Sequence, residues 1–488
     1  MKPTVIRFGT LSLLAFLILS IGLHTWPDAM PAPEKTVSSS SHKTTAAESK
    51  NTASTTSAAV TDTAPSQSFI KGGGGTSLTT TTVNRSVSGT SSRPSGSGSS
   101  TTASSARPQT PDKAPVRPTV TSTATQKPAP APTPTPAGKA VVGYYTGWSA
   151  YKGYTPSQIP AGQLTHLNYA FAKINPSTSR IVLADPANDR QNFAAIRALK
   201  KQHSGLKALL SVGGWDYSTY FSDVASTAGR REAFAQSCVD MIREHGFDGV
   251  DLDWEYPVSG GLSGNTNRPQ DKQNFTLLLQ KIREKLNAME KQDGRRYYLT
   301  IAGAANTSYL AKIEPQKVAA LVDHIFVMAY DMHGPWDRYA DFNAPLYKPT
   351  EQSPQYKNSV HDGLSAYRSS GVPAGKLVLG MPLYGYIYQG VSSQNNGLYS
   401  SFSSAKSISY DLVRRSYLNN SAYKQYRHKT AQVPYLYGKG TFISYEDTAS
   451  IAAKGTLAKS MGLAGVGVWE LSHDTSGRLL NSAYGSLR

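Results

Sequence analysis

Short apolar runs and longer stretches of helical periodicity alternate along the chain from residue 140 to its end. Apolar runs bounded by turn residues predict buried strands, whereas apolar residues spaced three and four apart predict helices. Eight runs show the first pattern, at 141–145, 164–171, 208–212, 249–254, 298–302, 324–330, 377–382 and 465–470. Helices are predicted at 189–202, 230–244, 269–291, 359–368 and 447–461.

This alternation of strands and helices predicts an α/β fold with a parallel sheet. A closed TIM (β/α)8 barrel is the economical arrangement of eight such units, because it leaves no unpaired sheet edge. A doubly wound open sheet is the alternative, but no glycine-rich phosphate loop follows the first strand.

The regular spacing breaks once, between the seventh strand and the helix at 447–461. The intervening residues are rich in Tyr and Ser and form too long a stretch for an ordinary loop. We therefore expect a small α+β insertion subdomain at about 386–446. It would stand on the rim where the strands end, which is the face that carries the active site in barrels of this type.

The residues before 139 have a different composition. Ser, Thr, Pro, Ala and Gly dominate 33–138, a composition that cannot bury enough apolar surface to offset its chain entropy. We expect a long disordered Ser/Thr/Pro-rich linker there, followed by one catalytic domain at 139–488. Residues 1–32 place an apolar run after Lys2 and Arg7, as in a secretory signal. A cleaved signal peptide and a retained signal anchor both remain open, so the protein is expected to be secreted or tethered to the cell membrane.

The chain carries a formal charge of +18, and Cys238 is its one cysteine. Because the cations are spread over the chain, we expect a solvated surface and no nucleic-acid partner, with weak attraction to anionic wall material or lipid as the alternative. A single cysteine excludes an intramolecular disulfide. Its apolar neighbours predict a small buried side chain rather than a catalytic thiol.

The densest chemical signal is the segment 248–257, Asp-Gly-Val-Asp-Leu-Asp-Trp-Glu-Tyr-Pro, on the fourth predicted strand. Strand alternation places Asp251, Asp253 and Glu255 on one face, about 6.6 Å apart. Carboxylates inside a barrel are costly to desolvate, so packing does not explain them. Crowding of like charges should raise the pKa of at least one. Salt bridging and a Mg or Ca site with oxygen ligands are the alternatives.

This segment resembles the signature of the family 18 glycoside hydrolases, the chitinases and their relatives. Four further motifs resemble those of the family's third, sixth, seventh and eighth barrel strands, in the family's order: Ser-Val-Gly-Gly-Trp at 211–215, Met-Ala-Tyr-Asp at 328–331, Gly-Met-Pro-Leu-Tyr-Gly at 380–385 and Gly-Val-Trp-Glu at 467–470. Together the motifs cover nearly all of 141–474. One position departs from the pattern, because many relatives carry Arg where this chain has Tyr386.

The resemblance implies hydrolysis of β-1,4 bonds in chitin or N-acetylglucosamine oligomers, with no cofactor and no metal. Glu255 would be the general acid and then the base. The acetamide oxygen of the substrate would attack the anomeric carbon, so that the configuration is retained. Asp253 would hold the acetamide N–H, with Asp251 sharing its proton. Tyr330 would donate to the acetamide oxygen, and Asp331 would contact the distorted sugar.

The resemblance also implies supporting and substrate-binding residues. Ser211 and Tyr144 would bond to Asp251. Aromatic faces suit sugar rings, so a set of tryptophans is expected along the substrate, although a lone Trp is equally often a core residue. Trp469 would form the floor beneath the distorted sugar. Trp215 and Trp336 would lie on the leaving-group side and Trp148 at the opposite end, with Met328 and Tyr256 of the matched motifs also at the substrate.

Two rival functions remain. Some members of this fold class bind chitin-like sugars without cutting them, but those usually lack the acid that Glu255 supplies here. Other hydrolases of the class act on peptidoglycan or on the chitobiose core of N-glycans. The tryptophan set and the insertion favour long chitin chains, and we expect a monomer.

Overall fold

The structure, a computed structural model, describes residues 138–349, 351, 353 and 358–488. The predicted signal or anchor at 1–32 lies outside the described residues. The same is true of the predicted linker up to residue 137.

The described residues form fourteen strands and ten α-helices. The strands are β1 (Ala140–Thr146), β2 (His166–Asn175), β3 (Arg180–Leu183), β4 (Lys207–Gly213), β5 (Gly249–Asp253), β6 (Tyr298–Ala304), β7 (His324–Met328), β8 (Leu377–Pro382), β9 (Tyr384–Gln389), β10 (Ser404–Ser409), β11 (Lys424–Arg427), β12 (Pro434–Gly438), β13 (Thr441–Ser444) and β14 (Gly465–Trp469). The helices are α1 (Pro186–Gln202), α2 (Phe221–Ala225), α3 (Ala228–His245), α4 (Asp271–Asp293), α5 (Thr307–Ala311), α6 (Pro315–Leu321), α7 (Val360–Ser369), α8 (Tyr410–Ser416), α9 (Thr448–Ser460) and α10 (Arg478–Ser486).

Eight parallel strands close into a barrel. Their order around the ring is β1, β2, β4, β5, β6, β7, β8 and β14, and β1 pairs with both β2 and β14. These are the eight strands that the apolar runs predict, so the prediction of an α/β TIM barrel is confirmed. Strand β3 was not predicted. It pairs antiparallel with the extended end of β2 and lengthens the sheet there.

Alternate residues of each barrel strand serve two different cores. On β5, Val250 and Leu252 are fully buried in the cluster between the barrel and its surrounding helices. The residues between them point the other way, into the barrel interior. That interior holds a second, smaller cluster that includes Tyr144, Phe326 and Val378. The period of two along β5 therefore forces its acidic residues inward.

The segment between β8 and α9 forms a five-stranded antiparallel sheet together with helix α8. Its strand order is β10, β9, β13, β12 and β11. The expected α+β insertion is therefore present, but its first strand begins at Tyr384, before the predicted start near 386. The reason is that only Leu383 separates β8 from β9, so the chain passes directly from the barrel into the insertion. Phe342 and Tyr388 lie in the apolar cluster of this sheet.

The structure also defines the surroundings of two residues outside the barrel strands. Cys238 on α3 is fully buried and free, and burial raises the pKa of its thiol. At the junction of α4 and β6, Arg295 forms an ion pair with Asp248 at 3.0 Å. Across the described part of the chain, no helix has the length and apolarity needed to cross a bilayer.

A buried ion pair joins the end of the insertion to α9, and it provides a test of the fold. Lys454 Nζ lies 2.5 Å from Glu446 Oε1, and both side chains are almost wholly buried. We expect Lys454→Ala to lower the free energy of unfolding by about 3–5 kcal/mol, because it leaves a buried carboxylate without its partner. Urea denaturation measures this change.

The pair Lys281–Glu284 on α4, whose side chains are 29% and 62% exposed, is the matched control. Lys281→Ala should cost less than about 1 kcal/mol, since exposed pairs contribute little. The double variant Glu446→Leu/Lys454→Met should recover most of the lost stability. If Lys454→Ala and Lys281→Ala destabilise the protein equally, the buried pair does not hold the insertion to the barrel.

Candidate active site

Three carboxylic acids rise along one face of β5 toward the mouth of the barrel. Asp251 is wholly buried and Asp253 is 5% exposed, while Glu255 lies two residues beyond the strand and is partly buried. The structure thus places them one above another, as the alternation of the strand predicts. The three acids nevertheless have different surroundings.

Asp251, the deepest acid, accepts hydrogen bonds from three hydroxyl groups. Tyr144 and Ser211 donate to its Oδ2 at 2.8 and 2.7 Å, and Thr300 donates to its Oδ1 at 2.5 Å. Burial raises the pKa of Asp251, and these donors oppose the rise because they stabilise the anion. Asp251 is therefore the acid best suited to carry a negative charge inside the barrel.

Asp253, the middle acid, has no comparable donors. Its Oδ1 is buried and has no hydrogen-bond partner among the described residues. Burial raises its pKa well above the usual range, and the charges of Glu255 and Asp251 raise it further. Asp253 is therefore the acid least suited to carry a negative charge, and its unpartnered oxygen is available to a ligand.

Glu255, the uppermost acid, has a pKa raised to about 7, mainly by burial. A hydrogen bond from Tyr256 opposes this rise, whereas the charges of Asp331 and Asp216 add to it. The expected rise is present, but burial contributes more than the predicted crowding of like charges. A carboxylic acid with this pKa retains a proton over much of the neutral range.

The backbone of Glu255 is fixed by its neighbours. Its N–H donates to Ser218 Oγ at 2.9 Å, and its carbonyl oxygen accepts from Asn265 Nδ2 at 3.0 Å. Gly261 passes close to the same carbonyl at a φ of +81°, where a Cβ would lie 2.0 Å from the oxygen. Because only glycine fits there, the loop packs directly against the acid and limits its movement.

The position of Trp469 depends on a close approach between Gly214 and Phe171. Trp469 stacks on Phe171, with ring centroids 5.7 Å apart, and also contacts Tyr144 at 5.4 Å. A Cβ on Gly214 would meet the ring of Phe171 at 2.5 Å. The glycine in the 211–215 motif therefore makes room for the ring that supports Trp469.

Asp331 approaches the same space from the loop after β7. It has a φ of +56°, and its N–H donates to Asn343 Oδ1 at 2.8 Å. Its Oδ1 accepts hydrogen bonds from Tyr384 at 2.5 Å and from Tyr386 at 2.7 Å. Tyr386 stands where many members of the resembling family carry Arg, so a neutral phenol contacts this acid.

These groups meet in an open cleft of about 630 Å³. Its walls are formed by Trp148, Phe171, Trp215, Asp216, Tyr217, Asp253, Glu255, Tyr256, Met328, Tyr330, Asp331, Trp336 and Trp469. A second cavity of about 270 Å³ is lined by Glu255, Tyr256, Met328, Tyr330 and Asp331 as well. Trp215 and Trp336 are 48% and 58% exposed, which leaves their faces open to a ligand.

Ten of the thirteen residues predicted at the site line the larger cleft. The other three, Asp251, Ser211 and Tyr144, lie beneath it. There Ser211 and Tyr144 each donate a hydrogen bond to Asp251. As for the metal alternative, no three His, Cys, Asp or Glu side chains within the described ranges are grouped to hold an ion.

The sequence reasoning missed several residues. Phe171, Asp216 and Tyr217 line the cleft. Thr300 had a usable signal, because it is the one Ser or Thr of β6 and lies at an inward position of that largely apolar strand. Asn265 and Asn343 lie in loops, where no periodic pattern identifies them.

Comparisons with known proteins agree with this arrangement. The sequence profile of "Glycosyl hydrolases family 18" matches residues 140–474. Chitinase A1 of Niallia circulans is 42% identical over 401 residues, which cover 70% of this chain and 57% of that protein. The chain thus spans little more than half the length of this relative.

Solved structures give the same result. Chitinase ChiA74 from Bacillus thuringiensis matches with a TM-score of 0.68 and 35% identity, covering 72% of this chain and 70% of that one. A glycoside hydrolase family 18 N-acetylglucosaminidase from Paenibacillus barengoltzii matches with a TM-score of 0.66 and 34% identity, covering 72% of this chain and 100% of that one. The chain therefore belongs to family 18 of the glycosyl hydrolases.

Proposed function

We propose that this chain hydrolyses the β-1,4 bonds between N-acetylglucosamine units of chitin by substrate-assisted, retaining catalysis. One observation carries the proposal. A protonated Glu255, with a pKa of about 7, stands above Asp253 in a cleft walled by tryptophans. The names of the relatives support chitin as the substrate class.

Binding comes first in the proposed mechanism. Trp469 presents its indole as the floor of the cleft, and the C–H face of a sugar ring packs on such a surface. The acetamide group of that sugar then meets two polar groups. Asp253 accepts its N–H through the unpartnered oxygen, and the Tyr330 hydroxyl donates to its carbonyl oxygen. These contacts hold the carbonyl oxygen beneath the anomeric carbon.

Bond cleavage uses the proton on Glu255. As the bond between the anomeric carbon and the bridging oxygen breaks, Glu255 protonates that oxygen. The acetamide oxygen bonds to the anomeric carbon at the same time and forms an oxazolinium ion. The Asp251–Asp253 pair, with one proton between them, stabilises the new positive charge. The three hydroxyl donors on Asp251 allow the pair to hold its negative charge without water.

The second half of the reaction reverses the roles. Glu255, now a carboxylate, removes a proton from a water molecule that attacks the anomeric carbon. The bond to the acetamide oxygen breaks, and the acid regains its proton. Because the anomeric carbon is attacked twice from opposite faces, its configuration is retained.

The rival functions differ in what they need from the cleft. A binding protein that does not cut needs the aromatic floor but no proton donor, so the acidity of Glu255 favours an enzyme. Hydrolysis of peptidoglycan or of the N-glycan chitobiose core would use the same acids. The exposed Trp215 and Trp336, on the proposed leaving-group side, favour long sugar chains.

We also infer where the enzyme acts. The predicted signal or anchor at 1–32 and the linker at 33–138 support export, either as a secreted protein or tethered to the membrane. A tether would let the barrel reach an insoluble polymer outside the cell.

The first prediction concerns the proton donor. Glu255→Gln should lower kcat on N-acetylglucosamine oligomers by roughly a hundred- to ten-thousandfold, because the amide cannot donate the acidic proton. Oligomer binding, measured by quenching of tryptophan fluorescence, should persist. The parent enzyme should first release the retained anomer, as read by NMR.

Glu232→Gln is the matched control, since Glu232 is an exposed residue on α3 far from the cleft. It should cleave like the parent. If Glu255→Gln cleaves as fast as Glu232→Gln, the assignment of the acid is wrong. A parent enzyme that binds chitin oligomers but never cuts them would support the binding protein instead.

The second prediction concerns pH. Glu255 must be protonated to act, so kcat/KM should fall as the pH rises through about 7. Asp216→Asn removes a negative charge that raises this pKa, so the alkaline limb of the profile should move to lower pH. Asp240→Asn, on the exposed face of α3, is the control and should leave the limb in place. An unmoved limb in Asp216→Asn would show that this charge does not act on the proton donor.

The third prediction concerns metals. The proposed mechanism takes its proton, nucleophile and charge stabilisation from Glu255, the substrate and the Asp251–Asp253 pair. Added chelator should therefore leave the rate of oligomer cleavage unchanged. Loss of activity that Mg or Ca restores would favour the metal site over the acid mechanism.

A further inference from the structure

The carboxylate of Asp331 is held by the insertion rather than by the barrel. Both of its hydroxyl donors, Tyr384 and Tyr386, come from β9 and bond to the same oxygen, Oδ1. Within the described ranges, Oδ2 has no protein donor, and no Lys, Arg or His forms an ion pair with this acid. Asp331 is thus an acid whose protein contacts are all neutral.

Tyr386 makes a second contact in the cleft. Its ring forms an edge-to-face pair with that of Trp336, with centroids 5.6 Å apart and planes at 83°. Edge-to-face pairs of this kind are favourable beyond the area that they bury. Trp336 follows Asp331 by five residues on the same loop. One side chain of the insertion therefore touches both the acid and the platform that this loop carries.

The loop needs such support. Asp331 has a left-handed φ of +56°, which a residue other than glycine adopts at a cost of about 1–3 kcal/mol. At Gly334 a Cβ would lie 2.5 Å from the indole of Trp336, so the tryptophan folds back over its own loop. A strained turn with an exposed aromatic tip keeps one geometry only where neighbouring residues fix it.

We propose that Tyr386 is a positioning residue of the cleft, which sets the Asp331 carboxylate and the Trp336 platform as one unit. This inference rests on the proposed hydrolase function. The phenol orients the carboxylate by a hydrogen bond and leaves its negative charge uncompensated. The ring orients the indole on the proposed leaving-group side. The insertion thereby acts on both sides of the bond that is cut.

Two variants separate the two contacts. Tyr386→Phe removes the hydroxyl but keeps the ring, whereas Tyr386→Leu removes both. Tyr386→Phe should lower kcat on a chitin oligomer by about tenfold, the effect of one hydrogen bond to a charged group. Its KM should stay within about twofold of the parent value, because the contact with Trp336 remains. Tyr386→Leu should lower kcat similarly and also raise KM by about fivefold.

The pH profile supplies a readout that a purely structural role would not change. The hydroxyl donors lower the pKa of Asp331 against the rise that burial causes. Without the Tyr386 hydroxyl this pKa is higher, so the carboxylate is protonated sooner as the pH falls. The acid limb of the kcat profile should therefore move to higher pH in Tyr386→Phe.

Tyr388→Phe is the matched control. Tyr388 lies two residues further along β9 with its ring on the same face, and it is fully buried. Its hydroxyl makes no side-chain hydrogen bond in the described part of the chain. This variant should keep the kcat, the KM and the acid limb of the parent.

The outcome that overturns the proposal is a Tyr386→Phe enzyme with parental kcat and acid limb and only a lowered Tm, since that is a packing role. Circular dichroism shows whether Tyr386→Leu is folded. If it is unfolded, the result for Tyr386→Phe decides between a positioning role and a packing role. If the parent itself does not cleave, the hydrolase function is wrong. The positioning role is then tested by tryptophan-fluorescence titration with the oligomer. Only Tyr386→Leu should bind the oligomer more weakly than the parent. Equal binding by all variants would overturn the positioning role.

Discussion

The site depends on the close placement of three carboxylic acids in a closed barrel, with Asp251 and Asp253 buried on β5 and Glu255 partly buried just beyond it. Each would lose several kcal/mol of hydration as an isolated buried anion, so all three cannot be ionised together. The three carboxyl groups together must therefore carry fewer than three negative charges. The hydroxyl groups around β5, and the proton that the uppermost acid retains, follow from this requirement.

The surroundings of each acid decide how easily it carries a charge. Asp251 has three hydroxyl donors and is best suited to be an anion, whereas Asp253 has an unpartnered oxygen and a pKa raised by burial and by the charges of Glu255 and Asp251. Glu255 lies between these extremes, with one opposing hydrogen bond and a pKa of about 7. From the bottom of the barrel to its mouth, the three acids thus differ in how readily each becomes charged. This order suits a reaction in which positive charge appears on the substrate while a proton leaves.

The sequence predicts those parts of the structure that depend on local periodicity. The eight strands, the inward face of β5 and the extra segment after β8 follow from spacing along the chain. Strand β3 and the start of the insertion at Tyr384 depend on where β2 and β8 end, which spacing does not define. Asn343 and Asn265 could not be predicted for a similar reason. Both lie in irregular loops, where no periodic pattern identifies a partner.

The barrel fixes some residues of the site, and the insertion fixes others. The acids on β5 are fixed by barrel neighbours, since Ser211 and Thr300 lie on the adjacent strands β4 and β6. Asp331 instead depends on a loop and on the phenols of β9. The charge of Asp331 also raises the pKa of Glu255, so the insertion influences the proposed proton donor through Asp331. A change in β9 can therefore alter the chemistry while the barrel stays intact, which explains how one barrel can support differently tuned clefts.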